Sequence, residues 1–218
     1  NITDSTADKK FAMEFYAYDG EKLEYVENEY DFMSYNDIKE SLDRVVIAVK
    51  ELLETKHKLY YNDDGSFKVM TLSDLHMDVN GNATAVQAVK DRIKMLVDRE
   101  NPDLIIFTGD NVINSSSEEK LRRNIDAIVS YVEEKQIPWC HTFGNHDHEG
   151  ALSKEKQQQI HESYEYCVSK AGPEDIFGVG NYVLGVYNKD GSLGSAIYCL
   201  DSGAYATNGG YDYIKQNQ

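Results

Sequence analysis

The sequence predicts an α/β fold with a mainly parallel sheet, and three features carry that expectation. Apolar runs recur at Phe67–Leu72, Asp103–Thr108 and Pro138–Phe143. A short apolar run bounded by polar residues reads as a buried strand, and such strands belong mostly to parallel sheets. Between the runs lie two stretches with apolar residues at helical spacing, so the order is strand–helix–strand–helix–strand, which implies right-handed crossovers. In open sheets of this kind ligands gather beyond the C-terminal ends of the strands. All three runs stop there in polar residues: Ser73-Asp74-Leu75-His76, Gly109-Asp110-Asn111 and Gly144-Asn145-His146-Asp147-His148.

Taken in order, residues 1–35 are polar and tyrosine-rich without a clear period, and read as irregular with a short strand around Glu14–Tyr18. Ile38, Leu42, Val45, Val46, Val49, Leu52 and Leu53 then repeat at helical spacing after Asn36-Asp37, which predicts an amphipathic helix from Asp37 to Lys56. Its polar face mixes signs, unlike the basic face of a membrane-surface helix. Asn62-Asp63-Asp64-Gly65 makes a turn into the first core strand. Val86, Val89, Ile93, Leu96 and Val97 mark a helix ending near Glu100, and Pro102 sets off the second strand. Ser115-x-x-Glu118 reads as a capping box, opening a helix with Leu121, Ile125, Ile128, Val129 and Val132 on one face. After the third strand, Lys154–Lys170 reads as a mostly polar helix that leaves His161 in solvent. Val179–Tyr187 and Ser195–Asp201 form a hairpin about Asn188-Lys189-Asp190-Gly191.

The chain has 218 residues, enough for a sizeable core in one main domain. Its 38 acidic and 22 basic residues give a formal charge of −16, the opposite of what a nucleic-acid-binding surface needs. A phosphate-bearing substrate is still compatible, since bound dications invert the local field. No stretch is long and apolar enough to span a membrane. The chain opens on Asn1, which reads as a processed start; it leaves a secreted or cell-envelope location open beside a cytoplasmic one, with a lean towards secretion. Cys140, Cys167 and Cys199 show no metal-type spacing and read as buried thiols, one disulfide among them being the alternative. Oligomeric state is not legible.

The chemistry concentrates at the three tips. Asp74 and His76 alternate along an extended backbone, which points both side chains at one ion. Asp110 follows a glycine that lets the backbone come close to a ligand, and its two oxygens can bridge two cations. Asn145 offers a neutral carbonyl. His146 with Asp147 next in line suits an acid or base held in one tautomer by a carboxylate, and Asn111 and His148 are the candidates for contact with substrate. A nucleotide-binding fold would need a Gly-rich turn where Asp74-Leu75-His76 stands.

Asp74-x-His76, Gly109-Asp110-Asn111 and Gly144-Asn145-His146-Asp147 together resemble the calcineurin-like metallophosphoesterase superfamily. Leu200-Asp201-Ser202-Gly203 and Tyr213-Ile214-Lys215-x-x-Gln218 are similar to its purple-acid-phosphatase-like branch. The resemblance covers Phe67 to Gln218. It implies a four-layer α/β-β/α sandwich, two mixed sheets flanked by helices, over residues 61–218. Residues 1–60 are then an irregular segment plus the amphipathic helix, packed on that domain.

The resemblance also implies a centre of two divalent ions, manganese, iron or zinc. Asp74 and His76 would hold one, Asn145 the other, and Asp110 would bridge. His146 would act at the leaving-group oxygen, oriented by Asp147. The implied activity is hydrolysis of phosphate mono- or diesters by a metal-activated hydroxide, with a phosphate ester as partner. Val112 and Ile113 stand where purple acid phosphatases carry a tyrosinate ligand, which argues against their ferric charge-transfer centre. The family completes its metal spheres with a later His and a Gly-His-x-His motif, neither of which occurs before Gln218. The expectation is therefore a C-terminally shortened catalytic domain with weak metal binding and poor turnover. The alternative is a non-catalytic metal-binding or scaffold domain that keeps the fold.

Overall fold

Nine of the ten segments read above as strand or helix have counterparts in the computed structural model, which describes residues 15–18, 23–26, 56–216 and 218. The predicted helix over Asp37–Lys56 lies outside the described residues but for Lys56. The chain divides into two compact units, Asn1–Lys50 and Glu51–Gln218. In the first, β1 (Phe15–Tyr18) and β2 (Leu23–Val26) pair antiparallel, with Phe15 opposite Val26 and Tyr18 opposite Leu23.

The second unit holds two three-stranded sheets. One is wholly parallel in the order β4-β5-β6, from Val69–Leu72, Leu104–Phe107 and Trp139–His141. Its crossovers are α1 (Ala83–Glu100) and α2 (Glu118–Glu134). The other is mixed, in the order β3-β7-β8: β3 (Leu59–Tyr60) runs parallel to β7 (Tyr182–Tyr187), which pairs antiparallel with β8 (Leu193–Cys199). The hairpin turn closes as expected, with the Gly191 amide donating to the Asn188 carbonyl at 2.9 Å.

Strand alternation sorts the core into two layers. Ile105, Phe107 and Trp139 face Ile93 and Val97 of α1 and Leu121, Ile125 and Val129 of α2. Leu104 and Cys140, on the opposite face of the same strands, pack against Leu59, Leu184, Val186 and Cys199 of the second sheet. Burying both faces of β5 explains its unbroken apolar run. The Tyr182 hydroxyl donates to the His141 carbonyl at 2.6 Å, pinning one sheet to the other. This helix–sheet–sheet stack provides three of the four layers that the resemblance implies. The three cysteines are free and buried, so no disulfide forms.

Two element boundaries differ from expectation. Ser117, not Ser115, caps α2: its hydroxyl accepts from the Lys120 amide at 3.2 Å, in extended backbone at φ −154°. Ser115 is buried two residues earlier, with its hydroxyl serving Asn124 of α2 at 3.3 Å. The predicted helix over Lys154–Lys170 stops early, as α3 (Lys154–Glu162). Beyond Ser163 the chain instead lies along the edge of β6. The Trp139 amide donates to the Tyr166 carbonyl at 2.9 Å, and the Val168 amide to the Trp139 carbonyl at 2.8 Å. Those bonds replace helical ones and bury Cys167 and Val168. His161 is likewise not in solvent: it is 6 % exposed and stacks on His141 of β6, ring centroids 3.7 Å apart.

Candidate metal centre

The tips of β4, β5 and β6 are laced together beyond the sheet. The Asp74 amide donates to the Gly109 carbonyl at 3.1 Å, His76 to Asp110 at 3.0 Å and Met77 to Asn111 at 2.9 Å. This ladder is not made by extended chain. Asp74 and His76 lie at φ 54° and 47°, and Asp110 at φ 51°, all left-handed. The alternation expected for Asp74 and His76 is therefore corrected: two left-handed residues, not a continuing strand, turn their side chains to a common side. Non-glycine residues in this region are costly and cluster at functional sites. Gly109 lies at φ 104°, and a Cβ there would come within 2.6 Å of the Gly144 nitrogen. A Cβ on Gly144 would in turn collide with the Asp110 carboxylate. Both glycines let the second and third tips meet.

Three of the predicted residues converge. Ligand atoms of His76, Asp110 and His146 all lie within 4.8 Å of one another. The rings of His76 and His146 meet edge to face at 5.1 Å. Asp74 stands beside His76 and outside this group, with Oδ1 3.8 Å from His76 Nε2 and its other oxygen bonded by the Ser73 hydroxyl. Asp110 is 9 % exposed, and its Oδ1 accepts from the His146 amide at 2.8 Å. Asn145 sits one residue before His146, its Nδ2 donating to the Tyr205 hydroxyl at 2.9 Å. That bond leaves the Asn145 carbonyl oxygen for a ligand. Asn111 is buried, and its Oδ1 has no hydrogen-bond partner, as fits an oxygen meant for a bound group. His148 is exposed and lines a cavity of about 810 Å³ with Leu152, Phe177 and Tyr205, a lining that omits His76, Asp110 and His146.

Asp147 does not orient the imidazole of His146. Its Oδ2 accepts from the amides of Asp110 at 2.9 Å and Gly144 at 2.8 Å, so it fastens the second and third tips together. Burial pushes its carboxyl up to about 6, against the pull of those amides. The carboxylate on His146 is Glu149, with Oε2 2.8 Å from Nδ1. This hydrogen bond raises the His146 pKa, while that of Glu149 is lowered first by the Tyr205 hydroxyl, which donates to Oε1 at 2.6 Å, and then by His146. The signal for Glu149 was present: His146–Glu149 forms a 3-10 turn, where residues three apart eclipse. Tyr205, 59 positions after His146, had none.

The His76 imidazole, the Asp110 carboxylate and the nearby Asn145 amide oxygen form a mixed nitrogen–oxygen set suited to manganese, iron or zinc, with the His146 ring beside them. The residues present thus fit divalent metal. Among the described residues no helix is long and apolar enough to cross a membrane.

Comparison with known proteins gives the same grouping. Residues 67–215 match the family model for calcineurin-like phosphoesterases. The chain is 32 % identical over 182 residues to Phosphatase DCR2 of Saccharomyces cerevisiae, an overlap of 74 % of this chain and 32 % of that protein. It is 32 % identical over 192 residues to Probable inactive purple acid phosphatase 28 of Arabidopsis thaliana, covering 73 % of this chain and 48 % of that one. Probable inactive purple acid phosphatase 29 of the same plant is 29 % identical over 188 residues, at 75 % and 48 %. The chain thus spans about a third to a half of the length of these relatives. On the strength of a match across most of the second unit, the chain belongs to the calcineurin-like phosphoesterase family.

Proposed function

We propose that this chain carries the catalytic centre of a metal-dependent phosphoesterase acting on phosphate mono- or diesters. The observation that carries the reading is the convergence of His76, Asp110 and His146 within 4.8 Å at three interlocked strand tips. Asp74 and His76 would hold one cation, Asn145 a second, and Asp110 would lie between them. Divalent metal at this point supplies a lowered pKa for water and positive charge for the phosphate oxygens. The protein's own part is then positional. Asp147 holds the Asp110 and Gly144 backbones together, and the left-handed turns at Asp74, His76 and Asp110 aim the donors inward. His146 would pass a proton from its ring to the departing ester oxygen, a task that needs the ring fixed and half in solvent. Asn111 and His148 are assigned to the substrate side, His148 from the wall of the neighbouring cavity.

A second reading is supported by the relatives named as probably inactive phosphatases: a non-catalytic domain that keeps the fold and binds metal. The test is hydrolysis of p-nitrophenyl phosphate and bis-p-nitrophenyl phosphate by the full gene product with manganese, zinc or iron added. Turnover that is lost in Asp110→Ala supports the hydrolase. Metal binding without turnover of either ester would leave the second reading in its place.

A further inference from the structure

The proposed proton donor has a support that its sequence neighbour does not supply. We infer that Glu149, backed by Tyr205, is the positioning residue for His146, and that Tyr205 also fixes the amide of Asn145. The inference rests on the phosphoesterase reading for its purpose, though not for its geometry.

Four side chains form one chain of hydrogen bonds. His146 Nδ1 meets Glu149 Oε2 at 2.8 Å, Tyr205 donates to Glu149 Oε1 at 2.6 Å, and Asn145 Nδ2 donates to the Tyr205 oxygen at 2.9 Å. Each bond removes one ambiguity. A carboxylate on Nδ1 keeps the proton there and directs Nε2 at the cluster, because a carboxylate only accepts. The tyrosine occupies the second carboxylate oxygen, so Glu149 cannot swing into solvent without losing a bond. The same hydroxyl accepts from the Asn145 amide nitrogen, which turns the carbonyl oxygen of Asn145 the other way. Both residues of the Asn145-His146 pair are thus set by one tyrosine contributed from the segment after β8. Tyr205 stacks on Tyr211 at 6.2 Å, which restrains its own ring. Asp147 is excluded from the role because its Oδ2 is committed to two backbone amides.

In the step served, the imidazolium form of His146 gives its Nε2 proton to the ester oxygen as the P–O bond to that oxygen opens, water's oxygen bonds to phosphorus, and a proton of that water passes to solvent, while Nδ1–H stays on Glu149. A poor leaving group needs that proton and a good one does not. Outer partners of this kind are worth about 10–100-fold in activity or metal affinity.

The experiment compares the full gene product with its Glu149→Ala, Glu149→Gln and Tyr205→Phe variants by two readouts. The first is the tautomer of His146, read by nitrogen-15 NMR of the metal-free protein above the ring's titration range. The parent and Glu149→Gln should hold Nδ1–H, since a glutamine carbonyl still accepts, and Glu149→Ala should lose that preference. The second is kcat with phenyl phosphate against dinitrophenyl phosphate. Glu149→Ala should cut the former about 10–100-fold and spare the latter, with Glu149→Gln largely rescued. Tyr205→Phe should weaken manganese affinity about 10-fold. An unchanged tautomer in Glu149→Ala overturns the inference, as does equal loss on both esters. If the parent hydrolyses neither ester, the phosphoesterase reading fails alone and the tautomer still decides the relay.

Discussion

Two histidine pairs lie between residues 76 and 161 and have opposite environments. His76 and His146 meet at 5.1 Å over the strand tips, the first exposed and the second half-buried, with Glu149 and Asp110 at hand. His141 and His161 stack at 3.7 Å between β6 and α3, both buried. Burial, and the neighbouring ring in the case of His141, push their pKa values down, to about 4 for His161. Histidine's chemistry is thus decided by solvent access and by the groups at hand. One pair can bind a cation or carry a proton. The other serves as aromatic packing, braced by the His161 Nδ1 contact to the Gln157 carbonyl at 2.9 Å.

The sharpest way to break this contrast is at the tips. Asp110→Ala removes the carboxylate shared by both halves of the proposed site. Metal assistance is worth several kcal/mol, so activity should fall by about 10³-fold or more, measured as kcat/KM with manganese present. An active Asp110→Ala protein would mean that the tips are not the centre.

Next in size is acid stability, which belongs to the buried pair. The unfolded chain protonates His161 near pH 6.5 and the folded one only at about pH 4, so the unfolded state binds more protons between those values. This contribution is complete above pH 6.5 and is lost as the pH falls towards 4, on the order of 3 kcal/mol for the ring. Asp147, raised to about 6, acts in the opposite sense, since the folded state holds its proton longer. Comparing urea unfolding of the parent and of His161→Phe at several pH values isolates the histidine. The variant should show a flatter acid limb and unchanged hydrolysis at neutral pH. An identical slope would contradict the burial of His161.

His146→Ala tests the exposed pair in the same terms. It should lower kcat by about 100-fold while leaving acid unfolding as in the parent, the converse of His161→Phe. Smallest is Asp147→Ala, which strips the Asp110 and Gly144 amides of their acceptor. It should cost about 1–3 kcal/mol in a chemical unfolding titration, and a neutral result would show that water replaces the carboxylate.

Much of this contrast was legible in the residues, and the reasons are physical. Apolar runs ending in Asp, His and Asn locate strand tips because buried strands and ligand loops have different compositions, so Asp74, His76, Asp110, Asn145 and His146 could be named together. Whether a given histidine faces water depends on where the helix ends. The composition of Lys154–Lys170 predicts one polar helix, yet the chain leaves helical geometry at Ser163 to bond the edge of β6. Gln157, Gln158 and His161 are polar but buried, so the polar pattern pointed the wrong way. The left-handed backbone at Asp74 and His76 was also hidden, because it comes from bonds to Gly109 and Asp110 across the sheet. Tyr205 reaches Glu149 from 56 residues away, a pairing that only the folded chain creates.

Anomalous diffraction from crystals grown with manganese tests the central claim most directly. A manganese peak is expected within coordination distance of His76 Nε2, the Asp110 carboxylate and the neighbouring donors. Manganese bound elsewhere, or absent from the tips at saturating concentration, would contradict it.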